Sequence, residues 1–521
     1  MEVFRLAGPA RPGYPVPMRR RDFSLALMGS AMPLLALGGK PGGSPALAAT
    51  THAAPAALQR LAERLHRLEE DGLNPSDYTI PAETAVAADP AAQAPGLMRA
   101  ASAALSDLLL GRLRLPTNRP DILRDPAAIP MPRWQLDLLG AADPASVIDR
   151  AALVPPDAAL LKAELAKARA IVAAGGWPRV PGGGTLDPGA SDAQRVPALR
   201  ARLAVVDPAL AAAPVEGTGE IYDEPLAAAL RRWQEEQGLE ADGRLGPITL
   251  AQLNRPASQR VDQLRVALDM RRAVPRPPTG RRIEVNIPDF RLFLLEGNRT
   301  LLRMNVVVGR PDRATPLLRV SMTTVQFNPP WGVPARNARE DLLPKFRRDP
   351  RAMVAKGFRL FTTIGGERVE VDPTTVDWAH VRPDNFPYSV RQDAGDSSAL
   401  GRLKFIMPNN DDIYLHDTPD RWAFNRPDRA FSSGCIRLER PMELLDLAMD
   451  GMGWDRERMQ RTFDTRQTIN VPLKRPIPVR LVYTTAVVEE GRLRLRPDIY
   501  GLDAAYAREM DHGAPRVAAA R

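Results

Sequence analysis

The chain has 521 residues, enough for three or four domains of roughly 100–200 residues each, and 44% of them are hydrophobic, which supports packed cores and excludes whole-chain disorder. The net charge is +9, of which residues 1–50 carry +4, so the remainder is mildly basic and suits a polyanionic neighbourhood. Aromatics make up only 5% and no Lys/Arg run is interleaved with them, so no nucleic-acid partner is predicted; a single cysteine, Cys435, excludes an intramolecular disulfide and a multi-cysteine metal site.

Residues 1–48 read as an export signal. Arg19, Arg20 and Arg21 precede Asp22 and Phe23, an uncharged apolar run follows from Leu25 to Gly38, and Ala46-Leu47-Ala48 supplies a small-residue cleavage site. The run is short for a span of about 20 residues. Arg20-Arg21-Asp22-Phe23 fits a twin-arginine signal, and the basic start fits an ordinary Sec signal equally well. Met18 is an alternative start. Export places the protein in the periplasm, with membrane anchoring only through an uncleaved signal.

A helical domain is predicted over 52–213. Leu58, Leu61, Leu65 and Leu68 recur at helical spacing, as do Met98, Leu105, Leu108 and Leu109, and an Ala-rich helix follows over 157–174. A Gly/Pro-rich loop (175–189) precedes its last short helix. Residues 217–256 form a small separate unit: Leu226, Leu230 and Trp233 share a helix face, Asp242-Gly243 turns the chain, and Pro247 opens a second helix. A proline-rich linker covers 274–281. From 282 the pattern alternates as strands do, in Ile283, Val285 and Ile287. Residues 336–398 are charged and read as irregular with a helix near 349–356. They form an insertion that either lids a site or is disordered. The β-rich domain is taken to run over 282–475, followed by strands over 476–508 and a tail over 509–521.

The chemistry lies between Leu403 and Arg440. His416 closes a strand, and nineteen positions on stands Cys435, within Ser432-Ser433-Gly434-Cys435-Ile436-Arg437. A thiol attacks only as thiolate, and a nearby imidazole can take its proton. Gly434 suits a sharp turn that aims the N–H groups of Gly434 and Cys435 at an oxyanion.

His416 with Ser433-Gly434-Cys435-Ile436-Arg437 resembles the signature of the L,D-transpeptidase catalytic domain, the YkuD-like fold. The likeness extends to Asn328-Pro329-Pro330-Trp331, Ala399-Leu400-Gly401, Pro408-Asn409, Tyr414-Leu415-His416-Asp417-Thr418 and Asp498-Ile499-Tyr500-Gly501. Leu230 to Thr249 resembles the peptidoglycan-binding-domain family. Asp71-Gly72-Leu73 and Asp77-Tyr78 are similar to the scaffold domain of large multidomain L,D-transpeptidases. Ser433 stands where many members have His, Ser398 where Asn is usual and Ala394 where Pro is usual. The last two bear on substrate gating.

The implied fold is multidomain α+β: an α-helical scaffold domain, a small three-helix-type peptidoglycan-binding domain, and a mostly β catalytic domain with an inserted lid. The resemblance implies Cys435 as nucleophile and His416 as base, its other ring nitrogen held by a backbone carbonyl such as that of Asp417. Acyl transfer between diaminopimelate residues of peptidoglycan stem peptides would give 3→3 cross-links, and carbapenems would acylate the thiol. Arg437 either binds a substrate carboxylate or braces the Cys435 loop. Ser433 and Ser432 either contact substrate or cap the turn, and Tyr414 and Trp331 either line the cleft or pack in the core. No metal or organic cofactor is implied. The expected partners are wall peptides and glycan, and other wall synthases. Water as acceptor (an L,D-carboxypeptidase), lipoprotein tethering and an inert wall-binding scaffold are the alternatives.

Overall fold

The computed structural model describes residues 53–113, 119–215 and 217–512. The predicted signal over 1–48 and residues 513–521 of the predicted tail lie outside the described residues. Helix α1 (Pro55–His66) has proline at its start and buries Leu58, Leu61 and Leu65 on one face. Helix α2 (Glu83–Ala88) leads to α3 (Pro90–Leu110), whose first turn is capped by the Asp89 carboxylate accepting from Ala92 N at 3.0 Å. With α4 (Met131–Gly140) and α5 (Pro144–Ala152) they enclose one core, around Leu61, Leu65, Leu97, Leu105 and Ile148. Two polar pairs lock it: Asp71 meets Arg64 at 2.6 Å, and Tyr78 Oη donates to Asp107 at 2.9 Å.

The Ala-rich helix α6 (Ala158–Ala173) forms as predicted but does not join that core. Its Leu161 and Leu165 pack on Leu264, Ala267 and Leu268 of a later helix and on Ala486 and Leu495 of a hairpin near the C-terminus. Helix α7 (Arg195–Ala204) also belongs elsewhere. Its Val196, Leu199 and Leu203 share a core with Leu210 of α8 (Pro208–Ala211), Leu226 and Leu230 of α9 (Glu224–Glu236) and Leu253 of α10 (Pro247–Leu253). The boundaries read at 213 and 217 therefore cut through a single hydrophobic core. A two-helix unit leaves an apolar face bare, and α7 covers it. Helix α11 (Ala257–Met270), unmarked in the sequence reading, is the spine: Leu264 and Leu268 face α6, and Val266 faces Tyr506 and Met510 at the C-terminal end.

The β-rich domain begins with β1 (Arg281–Asn286), β2 (Arg291–Glu296), β3 (Arg299–Gly309) and β4 (Leu318–Phe327). Next comes the inserted segment: β5 (Trp331–Val333), α12 (Ala335–Asn337), α13 (Leu343–Arg348), α14 (Pro350–Ala355), β6 (Phe358–Ile364), β7 (Glu367–Val371) and β8 (Ser389–Gln392). It is not irregular. Its four strands pair in the order β5-β8-β6-β7, and Phe346 stacks on Trp378 with ring centroids 4.8 Å apart inside its own core. Its charged residues are spread over the helical segments, as Lys345, Arg347 and Arg348, and over exposed strand positions, as Arg359, Arg368 and Arg391.

After it come β9 (Leu403–Ile406), β10 (Leu415–His416), β11 (Ala430–Ser432), β12 (Ile436–Leu438), α15 (Pro441–Ala448), α16 (Arg456–Asp464) and β13 (Ile469–Val482). The main sheet runs β11-β3-β12-β10-β9-β4-β13-β1-β2, and because β2 also pairs with β3 it closes on itself. Val285, Leu292, Val325, Phe405, Leu415, Ile436 and Leu481 fill the interior. β13 crosses the boundary drawn at 475 and pairs with both β1 and β4, so residues 476–482 belong to this domain. The hairpin β14 (Ala486–Glu489) and β15 (Arg492–Leu495) follows. The predicted strands over 476–508 end instead in a helix, α17 (Leu502–His512), which also takes in the first residues of the predicted tail. Its Tyr506 and Met510 are buried on α11. Among the described residues no helix is long and apolar enough to cross a membrane.

Candidate active site

Two short strands set the site. β10 pairs in parallel with β12 and antiparallel with β9, so His416 sits opposite both Arg437 and Lys404. Cys435 immediately precedes β12, beside Tyr414, whose carbonyl accepts from Ile436 N at 3.1 Å. The Tyr414 and His416 rings meet edge to face at 5.6 Å, and Lys404 Nζ lies 3.8 Å from the centre of the Tyr414 ring. The Tyr414 hydroxyl interacts with the Cys435 thiol and with Trp331. Sheet register thus gathers Cys435, Tyr414, His416 and Lys404 on one face, and Trp331 reaches Tyr414 there from the inserted sheet.

His416 is 4% exposed, and its Nδ1 lies 2.5 Å from the carbonyl oxygen of Asp417. A carbonyl only accepts, so Nδ1 carries the hydrogen and Nε2 keeps its lone pair. This is the carbonyl named in the sequence reading. Burial, reinforced by Arg437 and Lys404, lowers the imidazole pKa to about 3, against the pull of the Asp417 carbonyl. Burial raises the Cys435 thiol, although Tyr414, Lys404 and Arg437 pull the other way. The thiol is half-buried and points its hydrogen at Asp412 O, 3.7 Å away. The resting pair is therefore a neutral thiol and a neutral imidazole, and among the described residues no hydrogen bond joins them.

Residues 280–460 match the family described as "L,D-transpeptidase catalytic domain" (YkuD). Residues 193–253 match the "Putative peptidoglycan binding domain", which includes α7 as the shared core requires. Over 239 residues the chain is 39% identical to the "Putative L,D-transpeptidase" of Haemophilus influenzae, covering 46% of this chain and 48% of that protein. The chain thus spans about half the length of this curated relative. The L,D-transpeptidase of Xylanimonas cellulosilytica (residues 123–326) is 14% identical, covers 58% of this chain and 98% of its own, and aligns at a TM-score of 0.20. That of Stackebrandtia nassauensis is 12% identical, covers 60% and 99%, and aligns at 0.18. At those scores neither bears on the argument.

Within residues 280–460, the other predicted residues fall into place unevenly. Gly434 has φ of +118°, which favours glycine. Its N–H is not free for an oxyanion: it donates to Ser432 Oγ at 3.1 Å, and that hydroxyl donates to Cys435 O at 2.6 Å. Ser432 thus holds the turn from inside, and the oxyanion role read for the Gly434 N–H is not supported. Arg437 Nη1 meets Asp420 at 3.1 Å. Ser433 is exposed and accepts from Arg313 at 2.9 Å. Trp331 packs partly on the inserted core while reaching Tyr414.

The remaining motif residues shape the loops around the thiol. Asn409 donates to Met407 O and Ile413 O at 2.6 and 2.7 Å and accepts from Asp411 N and Ile413 N, fixing the loop that presents Asp412 O to Cys435. Asn328, left-handed at φ 45°, donates to Thr462, Phe463 and Gln467 carbonyls and anchors the chain entering Trp331. Gly401 (φ +59°) admits Asp417, whose Oδ2 would lie 2.4 Å from an added Cβ and accepts from Arg402 N. Tyr500 Oη donates to Gly309 O at 2.5 Å and accepts from Thr315 N, while Thr315 Oγ1 donates to Gly434 O at 2.7 Å.

Sequence reading missed Arg313, Thr315, Lys404 as a ring partner, and Asp412. Arg313 is the most telling. Its buried guanidinium meets Asp341 at 2.6 Å and Glu340, both in the inserted segment, and Ser433 beside the cysteine. Among the described residues no cluster of His, Cys, Asp or Glu is arranged to hold a metal.

Proposed function

We propose that this protein is an L,D-transpeptidase that uses Cys435 to form 3→3 cross-links between diaminopimelate residues of peptidoglycan. The observation that carries the reading is His416: Nδ1 is tied to Asp417 O, which leaves Nε2 as a base on the face that holds the chain's single thiol. Substrate binding draws the thiol from Asp412 O toward His416, which takes its proton as sulfur bonds to the acyl carbon of the first stem. The C–N bond to the terminal D-alanine breaks, and the imidazolium returns the proton to that amine. The amine of a second diaminopimelate then attacks the thioester, loses a proton to His416, and releases the thiol. The cleaved amide supplies the acyl group, so no nucleotide is consumed. The 193–253 unit supports attachment to the wall, and the basic start with its apolar run supports export to the periplasm.

Intact-protein mass after adding a carbapenem tests this. One adduct is expected on the native chain, none on Cys435→Ala, and slow formation on His416→Ala. No adduct on folded native protein would move the reading to an inert wall-binding scaffold. Stem tripeptides without dimers, from wall substrate, would make water the acceptor and the enzyme an L,D-carboxypeptidase.

A further inference from the structure

Away from Cys435, a cavity of about 40 Å³ lies between the peptidoglycan-binding unit, α11 and the start of α17. Arg255 and Arg260 line it, with Trp177, Gln252 and the carboxyl groups of Asp262, Asp498 and Asp503. Behind Trp177 sits Arg202, 2% exposed, its guanidinium 3.9 Å from the centre of the indole ring. Arg202 Nε donates to Leu253 O at 2.9 Å, and its Nη1 has no partner. Among the described residues none of these three arginines forms an ion pair. The charge acting on Arg202 is Arg260, and the first to act on Arg260 is Arg255. Glu164 and Glu236 act on Arg260 only from beyond ion-pair distance. Among the described residues the only side-chain hydrogen bond of Arg260 runs to the neutral Gln237, at 2.8 Å.

Asp503 adds an independent sign. It is 3% exposed, and its Oδ1 is buried without a partner, while Oδ2 accepts from Thr485. Burial beside Asp498 raises its pKa to about 7, against the pull of Arg119 and Arg255, so it is partly protonated in neutral solution. A buried cation without an ion pair, here Arg202, and a buried carboxyl oxygen without a partner both cost folding free energy. A bound oxyanion would offset both: arginines take its charge and the Asp503 hydroxyl donates to it.

We infer that this cavity is an oxyanion site that receives a carboxylate-bearing fragment of the wall. The oxyanion follows from the arginines and Asp503, and the choice of a wall carboxylate over a phosphate rests on the wall-directed reading above. The residues around Cys435 take no part.

The test is calorimetry on the full chain carrying Cys435→Ala, so that no acylation disturbs the titration. The probes are a disaccharide-tetrapeptide, inorganic phosphate and a neutral N-acetylglucosamine trimer. The disaccharide-tetrapeptide is expected to bind and to weaken by roughly tenfold or more with Arg255→Gln or Arg260→Gln. Melting temperatures of both variants should not fall, because each relieves repulsion. If Arg260→Gln fails to fold, Arg255→Gln carries the test, since its guanidinium holds no side-chain hydrogen bond among the described residues. Unchanged affinity in the folded variants, no binding, or equal binding of the neutral trimer overturns the site. Binding of phosphate without the disaccharide-tetrapeptide overturns the wall source. Carbapenem acylation of the native thiol is read separately: either result can fail while the other stands.

Discussion

At the residue scale, the resting chemistry is that of two neutral groups. With His416 lowered to about 3 and the Cys435 thiol raised, alkylation of Cys435 by iodoacetamide should climb about tenfold per pH unit from pH 6 to 8, tracking thiolate. A preformed thiolate–imidazolium pair would instead give a flat profile, which stopped-flow mass analysis would reveal. The same burial couples to stability. The unfolded imidazole binds a proton near 6.5, while the folded one waits until about 3. The contribution is therefore fully present above about 6.5 and is lost as pH falls toward 3, at up to about 1.4 kcal/mol per pH unit. His416→Asn should remove that slope in urea titrations across the window. Cys435 and His416 were legible because their motif is local. Arg313, Thr315 and Asp412 were not, because each is an ordinary loop residue until sheet closure brings it within 4 Å of the cysteine turn.

At the element scale, the inserted segment is fastened to the cysteine turn through Arg313. Arg313→Ala removes the guanidinium that joins Glu340 and Asp341 to Ser433, leaving Glu340 to Arg336 and Asp341 to Arg310. Carbapenem acylation should slow by about tenfold or more with the fold retained, and Arg313→Lys should recover only part, since a lysine cannot span two carboxylates and a hydroxyl with one fork. Full acylation by Arg313→Ala would dismiss the link. Gly401→Ala is predicted to cost at least about 2 kcal/mol in denaturant titration, from a left-handed backbone and a clash with Asp417. The strong helices were legible from leucine spacing, as was the strand character after 282. The sheet of the insertion was not: its pairing joins β5 to β8 across more than fifty residues, and no local pattern encodes that.

Across the whole molecule, α11 and its Asp269 hold distant segments together. Burial pushes this carboxyl up, but Arg124 and Arg272 outweigh burial and hold it below the usual carboxylate range. It accepts from Arg124 at 2.6 Å and from the Tyr506 hydroxyl of α17 at 2.6 Å, and also from Arg112 N. Asp269→Ala strands buried arginines and should cost about 3–5 kcal/mol by thermal or urea unfolding. Val261, Leu264 and Leu268 already had helical spacing, so α11 was readable in principle. What hid it was the expectation of a linker between two motif-bearing domains.

The bond from Cys435 to Asp412 O has a consequence for survival as well as for catalysis. Peroxides attack thiolate, not thiol, and begin the ladder from sulfenic to sulfonic acid. On the proposed mechanism, a nucleophile that waits as S–H beside a carbonyl, and is ionised only when a substrate turns it toward His416, would spend most of its life in the form oxidants ignore. The price of that shelter is a slower first encounter with any electrophile that cannot move the thiol itself.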